Sequence, residues 1–262
     1  MELPVPSPYP SVPPSPSEAT HRVPWSAGEA VATLLLAFGL GIVLTVPLVV
    51  AGAAVEADRQ LLNAISVPLT PIVIGATTLL VVGTRHRGAG RKLLGVARPL
   101  PRDWAIGAAV AVVGYFALNM GLGGALQFLV ERAGMDPPVV QETFRDVAAD
   151  PGTAWVLVVS AVALAPIAEE LLYRGMLFQA LRDRLGAGWG MWLSGAVFGI
   201  THVDLGATWL SNAMLVAVIW PLGALLAWAF HRRGTLLVPI VGHATFNAIN
   251  VGFMITLAGQ AS

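Results

Sequence analysis

The sequence predicts an all-α protein, a polytopic membrane helix bundle with about seven transmembrane helices. Composition is the first reason: 56% of the residues are hydrophobic, only 11% are charged, and mean hydropathy is +0.73. A soluble domain carries about 25% charged residues. The second reason is run length, because a bilayer core takes about 20 apolar residues per helix. Seven segments qualify as candidates: 28–54, 61–83, 103–131, 152–182, 188–202, 207–230 and 235–258. The third is what is missing: there is no cysteine, which removes a disulfide framework and thiolate metal sites. A formal net charge of zero leaves no electrostatic case for nucleic acid as a partner.

Taken in order, residues 1–26 open with "MELPVPSPYPSVPPSPSEATHR" and form a Pro/Ser-rich N-terminal tail. Such a stretch cannot build a core, and disorder is expected. The apolar run starts only near Gly28, so no secretory signal is read at the start. Residues 27–150 hold three apolar segments and no chemical motif; they read as N-terminal scaffold. The fourth segment is long and turns polar in its second half, and the fifth is short and bounded by "GAGWG" and "DLG". Irregular membrane segments point to a cavity or a buried site, since lipid satisfies no free backbone group. Residues 140–149, in the longest connection, read either as an amphipathic interfacial helix or as a solvated loop.

Basic residues in short loops orient the chain. The 83–103 loop carries six, and "RDR" (182–184) and "HRR" (231–233) are the other patches. One arrangement fits them all: N-terminus and these three loops cytoplasmic, C-terminus outside, in what reads as a bacterial cytoplasmic membrane. The eight tryptophans suit interfacial belts.

Ionisable residues at membrane depth are costly and mark function by default. In the second half these are Glu169, Glu170, Arg174, His202 and His243, with Asn247 one turn after His243. Glu170 and Arg174 are spaced i, i+4 with the acid first, so they can pair along one face. Glu169 lies about 100° further round the helix and is free to point elsewhere. Phe198 and His202 are again i, i+4, as are His243 and Asn247. Two histidines and a carboxylate from three helices suit either of two tasks. They form a zinc set of the His₂Glu kind, with Glu169, His202 and His243 as ligands. Or they orient a water and stabilise an oxyanion with no cofactor. There is no HExxH, so the zincin arrangement is absent.

"EELLYR" (169–174), "FGITH" (198–202) and "HATFN" (243–247) together resemble the three ordered motifs of the CPBP family of intramembrane proteases, which includes the CAAX prenyl endopeptidases and bacteriocin self-immunity relatives. The resemblance covers roughly residues 150–250, and makes 151–258 a CPBP-like catalytic core. It implies a protease, labelled a metalloprotease in that family, acting on a membrane-embedded or lipidated peptide or protein. It implies that Glu169 activates the attacking water, that His202 shares that water, and that His243 and Asn247 complete the site and polarise the scissile carbonyl. Glu170 and Arg174 are the supporting pair, and Phe198 packs beside them.

Simpler readings stand next to these. Glu170 and Arg174 also read as a structural ion pair, and each histidine as a hydrogen-bonded helix residue. Asp204 reads as a loop acid, His231 as an interfacial charge, and Asn119 and Gln127 as glue between helices. Two other functions compete: a non-catalytic immunity-like membrane protein, and a transporter, against which no inverted repeat is seen. One conflict remains inside the reading. The seven-span arrangement puts Glu169 in the cytoplasmic half of the fourth segment and His202 at the outer end of the fifth. A single site needs both at one depth.

Overall fold

The computed structural model describes residues 22–55, 58–135 and 151–261. The 140–149 segment and most of the tail lie outside them. Among the described residues there are eight helices and no strand: α1 Ala27–Ala54, α2 Arg59–Arg85, α3 Gly90–Leu93, α4 Pro101–Arg132, α5 Gly152–Leu185, α6 Ala187–Ile200, α7 Trp209–Arg233 and α8 Leu237–Ala261. Six of them are long and apolar enough to cross a membrane: α1, α2, α4, α5, α7 and α8. The protein is a multi-pass integral membrane protein.

The fifth predicted span is corrected. It is helical, but α6 has 14 residues, which makes it about 21 Å long against a hydrocarbon core of about 30 Å. Gly186, at φ 82°, supplies the left-handed residue that ends α5 and starts α6. At the other end the helix gives way to the loop at residues 201–208, where Asn212 exchanges hydrogen bonds with the backbone of Asp204. Asp204 is therefore a turn-forming loop residue. Because α6 is short, His202 stops inside the bundle. Glu169 lies 17 residues before Gly186 and His202 lies 16 after it. In an antiparallel hairpin these arms bring both to the same depth.

The tail boundary also moves. Trp25 is buried and donates its indole N–H to the Met176 carbonyl at 3.0 Å, and Val23 donates its backbone N–H to Asp183 at 2.8 Å. Residues 23–26 thus pack on the bundle. Ser26 and Glu29 then exchange hydrogen bonds at 3.0 and 3.1 Å, a capping box that sets the start of α1.

The basic patches meet at one end. Lys92 Nζ donates to the Arg22 carbonyl, Ala97 N–H to the Gly234 carbonyl, and Arg233 pairs with buried Asp103 at 2.7 Å. Outward faces of α1 and α4 present Leu35, Ile42, Val43, Val113 and Phe116 to the surroundings, as lipid-facing helices do.

The core is built around the second half of α5. Every residue from Glu170 to Ala180 is buried. Tyr173, Met176 and Phe178 pack there with Phe198 of α6, Phe230 of α7 and Trp25. Close backbone approach makes this possible. A Cβ on Gly195 would stand 2.7 Å from the Ala224 nitrogen, and one on Gly223 would stand 2.8 Å from the Gly195 Cα. Small residues let membrane helices pack on each other's backbone. Two stretches of α5, Val159–Leu164 and Leu171–Phe178, are π-helical. Such widened turns re-aim side chains and free carbonyls, and they gather at functional sites.

Candidate functional site

Glu170 sits at the centre and is fully buried. Its Oε1 accepts from Arg174 at 2.8 Å and from His243 Nδ1 at 2.9 Å. Arg174 is buried too; it donates to the Gly223 carbonyl at 3.1 Å and lies 4.4 Å over the Phe198 ring. A buried ion needs a partner and further hydrogen bonds to be tolerated. The pair has both, and it joins α5, α7 and α8 at one point. Phe198 packs its ring against His202 at 4.5 Å and His243 at 5.5 Å, centroid to centroid.

Glu169, on the next face of α5, makes none of these hydrogen bonds, and meets His243 only through the ring's other nitrogen. Its Oε2 is buried and accepts no hydrogen bond among the described residues. It stands 3.8 Å from His202 Nε2 and 3.9 Å from His243 Nε2. These gaps are too wide for direct hydrogen bonds and narrow enough for one bridging atom.

The ring protonation follows from the partners. His202 Nδ1 contacts the Phe198 carbonyl at 2.6 Å. A carbonyl only accepts, so Nδ1 carries the proton. His243 Nδ1 faces a carboxylate already bound to Arg174, and it donates as well. In their neutral forms both rings therefore turn an Nε2 lone pair toward Glu169. Three acceptors meet with no donor between them. A water supplies two protons; a metal ion would satisfy all three at once. Imidazoles whose Nδ1–H is held by a carbonyl or a carboxylate are oriented as metal ligands usually are. The donor set fits zinc in kind. No three such side chains among the described residues stand at metal-binding spacing, so these three would have to draw together to hold one.

All of this faces a cavity of about 840 Å³ lined by Glu169, His202, His243 and Asn247, with mostly apolar walls. Asn247 makes no hydrogen bond to either glutamate among the described residues. Its amide donates to the Ala161 carbonyl at 2.8 Å, in a π-helical stretch of α5. That leaves its second N–H for the cavity. Asn119 donates to Asn250 at 2.6 Å across α4 and α8, so it does join helices, and it also lines the cavity. Gln127 lines it too and bonds Glu131 on its own helix. His231 lies at the basic end against Phe178.

Sequence reasoning missed Tyr173 and Thr201, which bond each other at 2.5 Å. Both lie inside quoted motifs, but nothing in spacing signals a contact across 28 residues. It also missed Ser66, Thr70 and Ser160 in the cavity wall. Single hydroxyls on apolar helices carry no signal in sequence.

A membrane helix bundle with a buried carboxylate and two imidazoles at the floor of an apolar cavity defines a site suited to water-dependent chemistry. Residues 151–249 match the family model described as type II CAAX prenyl endopeptidase Rce1-like. The chain is 27% identical over 143 residues to the Bacillus subtilis (strain 168) protein named "Putative membrane peptidase YdiL", covering 54% of this chain and 54% of that one. It is 28% identical over 162 residues to an Escherichia coli protein named "Uncharacterized 24.3 kDa protein", covering 62% of this chain and 68% of that one. The chain thus spans about half the length of the first of these relatives. No solved structure matches.

Proposed function

We propose that this protein is an intramembrane endopeptidase that hydrolyses a membrane-embedded or lipidated peptide by glutamate-activated water. One observation carries the reading: Glu169 Oε2, buried and unpartnered among the described residues, faces two imidazole lone pairs at the floor of the cavity. Glu170 Oε2 lacks a partner too, but Glu170 is held through Oε1 by Arg174 and His243, whereas Glu169 makes no hydrogen bond among the described residues, and a buried group without a partner costs stability. The Rce1-like match over the same residues supports the reaction class.

The chemistry runs in three moves. A water held between Glu169 and the His202 and His243 Nε2 atoms gives a proton to Glu169 as its oxygen attacks the scissile carbonyl. The free N–H of Asn247 meets the oxyanion, one donor of the kind that oxyanion sites use. The tetrahedral centre then collapses, the C–N bond breaks, and the proton on Glu169 passes to the leaving amine. His243 keeps its orientation through Glu170, and Glu170 is held by Arg174. If a divalent metal is bound, Glu169, His202 and His243 hold it, and it supplies Lewis-acid activation of the water. The basic end of the bundle is read as cytoplasmic.

The test is cleavage by protein purified in nanodiscs, with prenylated C-terminal peptides and uncharged apolar peptides as substrates and products identified by mass. Peptide-bond hydrolysis is expected. Ion or solute flux through liposomes in the absence of any cleavage would favour a transporter instead.

A further inference from the structure

A hydrogen-bonded chain from α5 to the end of α6 runs beside the site, and the reaction above does not use it. It begins at Tyr173, which lies one turn after Glu169 on the same face and is fully buried. Its hydroxyl bonds Thr201 Oγ1 at 2.5 Å, and Thr201 Oγ1 donates to the Phe198 carbonyl at 2.9 Å. Since Thr201 has spent its one proton, Tyr173 is the donor to it. The Phe198 carbonyl is the one that holds His202 Nδ1.

The end of α6 explains why that carbonyl is available. A helix end leaves its last carbonyls without amide partners. The backbone N–H of His202 turns to Gly199 at 3.2 Å rather than to Phe198. The Phe198 oxygen is then taken by two side chains, Thr201 and His202. His202 sits on the first residues of a loop, where the helix ladder no longer fixes it. Its imidazole is placed by the Phe198 carbonyl, and the turn that carries both is tied to α5 by Tyr173.

We infer that Tyr173, acting through Thr201, is a positioning residue that holds the His202-bearing turn against the face of α5 that presents Glu169. The ring of Tyr173 is packing, edge-on to Phe198 at 5.0 Å; the hydroxyl is the positioning element. This rests on His202 belonging to the reaction site, but its test needs no substrate.

The experiment is ¹⁵N NMR of histidine-labelled protein in nanodiscs, comparing wild type with Tyr173→Phe, Thr201→Val, the double variant and Thr201→Ser. His202 and His243 signals are assigned by single replacement. In wild type His202 gives one sharp pattern with the proton on Nδ1. Tyr173→Phe and Thr201→Val each broaden or split the His202 signals, the double variant does so no further, and Thr201→Ser keeps the wild-type pattern. His243, held by Glu170, does not change. Unchanged His202 signals in both single variants overturn the inference. So does a double variant with the summed effect of two singles, or equal changes at His243, which would mean general loosening. A failure to cleave any peptide would count against the proposed reaction and leave this result standing.

Discussion

Replacing Arg174 by methionine keeps the length of the side chain and removes its charge. In the structure this deletes the 2.8 Å bond to Glu170 and the 3.1 Å bond to Gly223. Glu170, with no exposure at all, keeps only His243. Breaking a buried ion pair from one side typically costs about 3–5 kcal/mol, because the remaining charge is left uncompensated. Replacing Glu170 by glutamine strands Arg174 in the same way and costs a similar amount. The double replacement leaves no unpaired charge, and is expected within about 1–2 kcal/mol of wild type. The assay is reversible unfolding in mixed micelles, followed by the fluorescence of the eight tryptophans. Each single variant should unfold far earlier than the double. If the double variant loses the sum of the two singles, the charges act independently, and the account of this cluster is wrong.

Other expectations follow from packing and topology. Gly195→Ala puts a Cβ 2.7 Å from a backbone nitrogen of α7, so it should lower stability by about 1–3 kcal/mol. Gly188→Ala meets nothing within 4 Å and should be neutral in the same unfolding assay. The chain has no cysteine, so single introduced cysteines report topology directly. Cysteines replacing Arg87 and Arg184 should label from one membrane face, and one replacing Val55, 75% exposed between α1 and α2, from the other; labelling of all three from one side would refute the arrangement.

Much of the site is legible in the sequence because its strongest pair is local. Glu170 and Arg174 sit i, i+4, and the helix period alone puts them together. The link from Glu170 to His243 spans 73 residues, and no spacing rule reaches it. The role of Asn247 is hidden for another reason. Its partner is a backbone carbonyl in a π-helical stretch, and widened turns leave no clear mark on an apolar sequence. The depth conflict over His202 has an answer already present in the residues. Gly186 lies nearly midway between Glu169 and His202, so a hairpin brings them level, provided the fifth segment is not taken as a full span. Hydropathy misleads there, because a short helix buried among others is as apolar as one that crosses the bilayer. Trp25 shows the reverse error: a Pro/Ser-rich tail hides one aromatic residue that docks on α5.

The central claim is that Glu169 is the base. The most direct measurement compares wild type and Glu169→Gln for peptide cleavage in nanodiscs, with thermal unfolding recorded on the same preparations. The amide of glutamine offers a donor to the imidazole lone pairs and removes an unpartnered buried acid, so the variant should melt at or above the wild-type temperature. It should also lose cleavage by about two orders of magnitude or more. A variant that is equally stable and cleaves at the wild-type rate would contradict the assignment of Glu169.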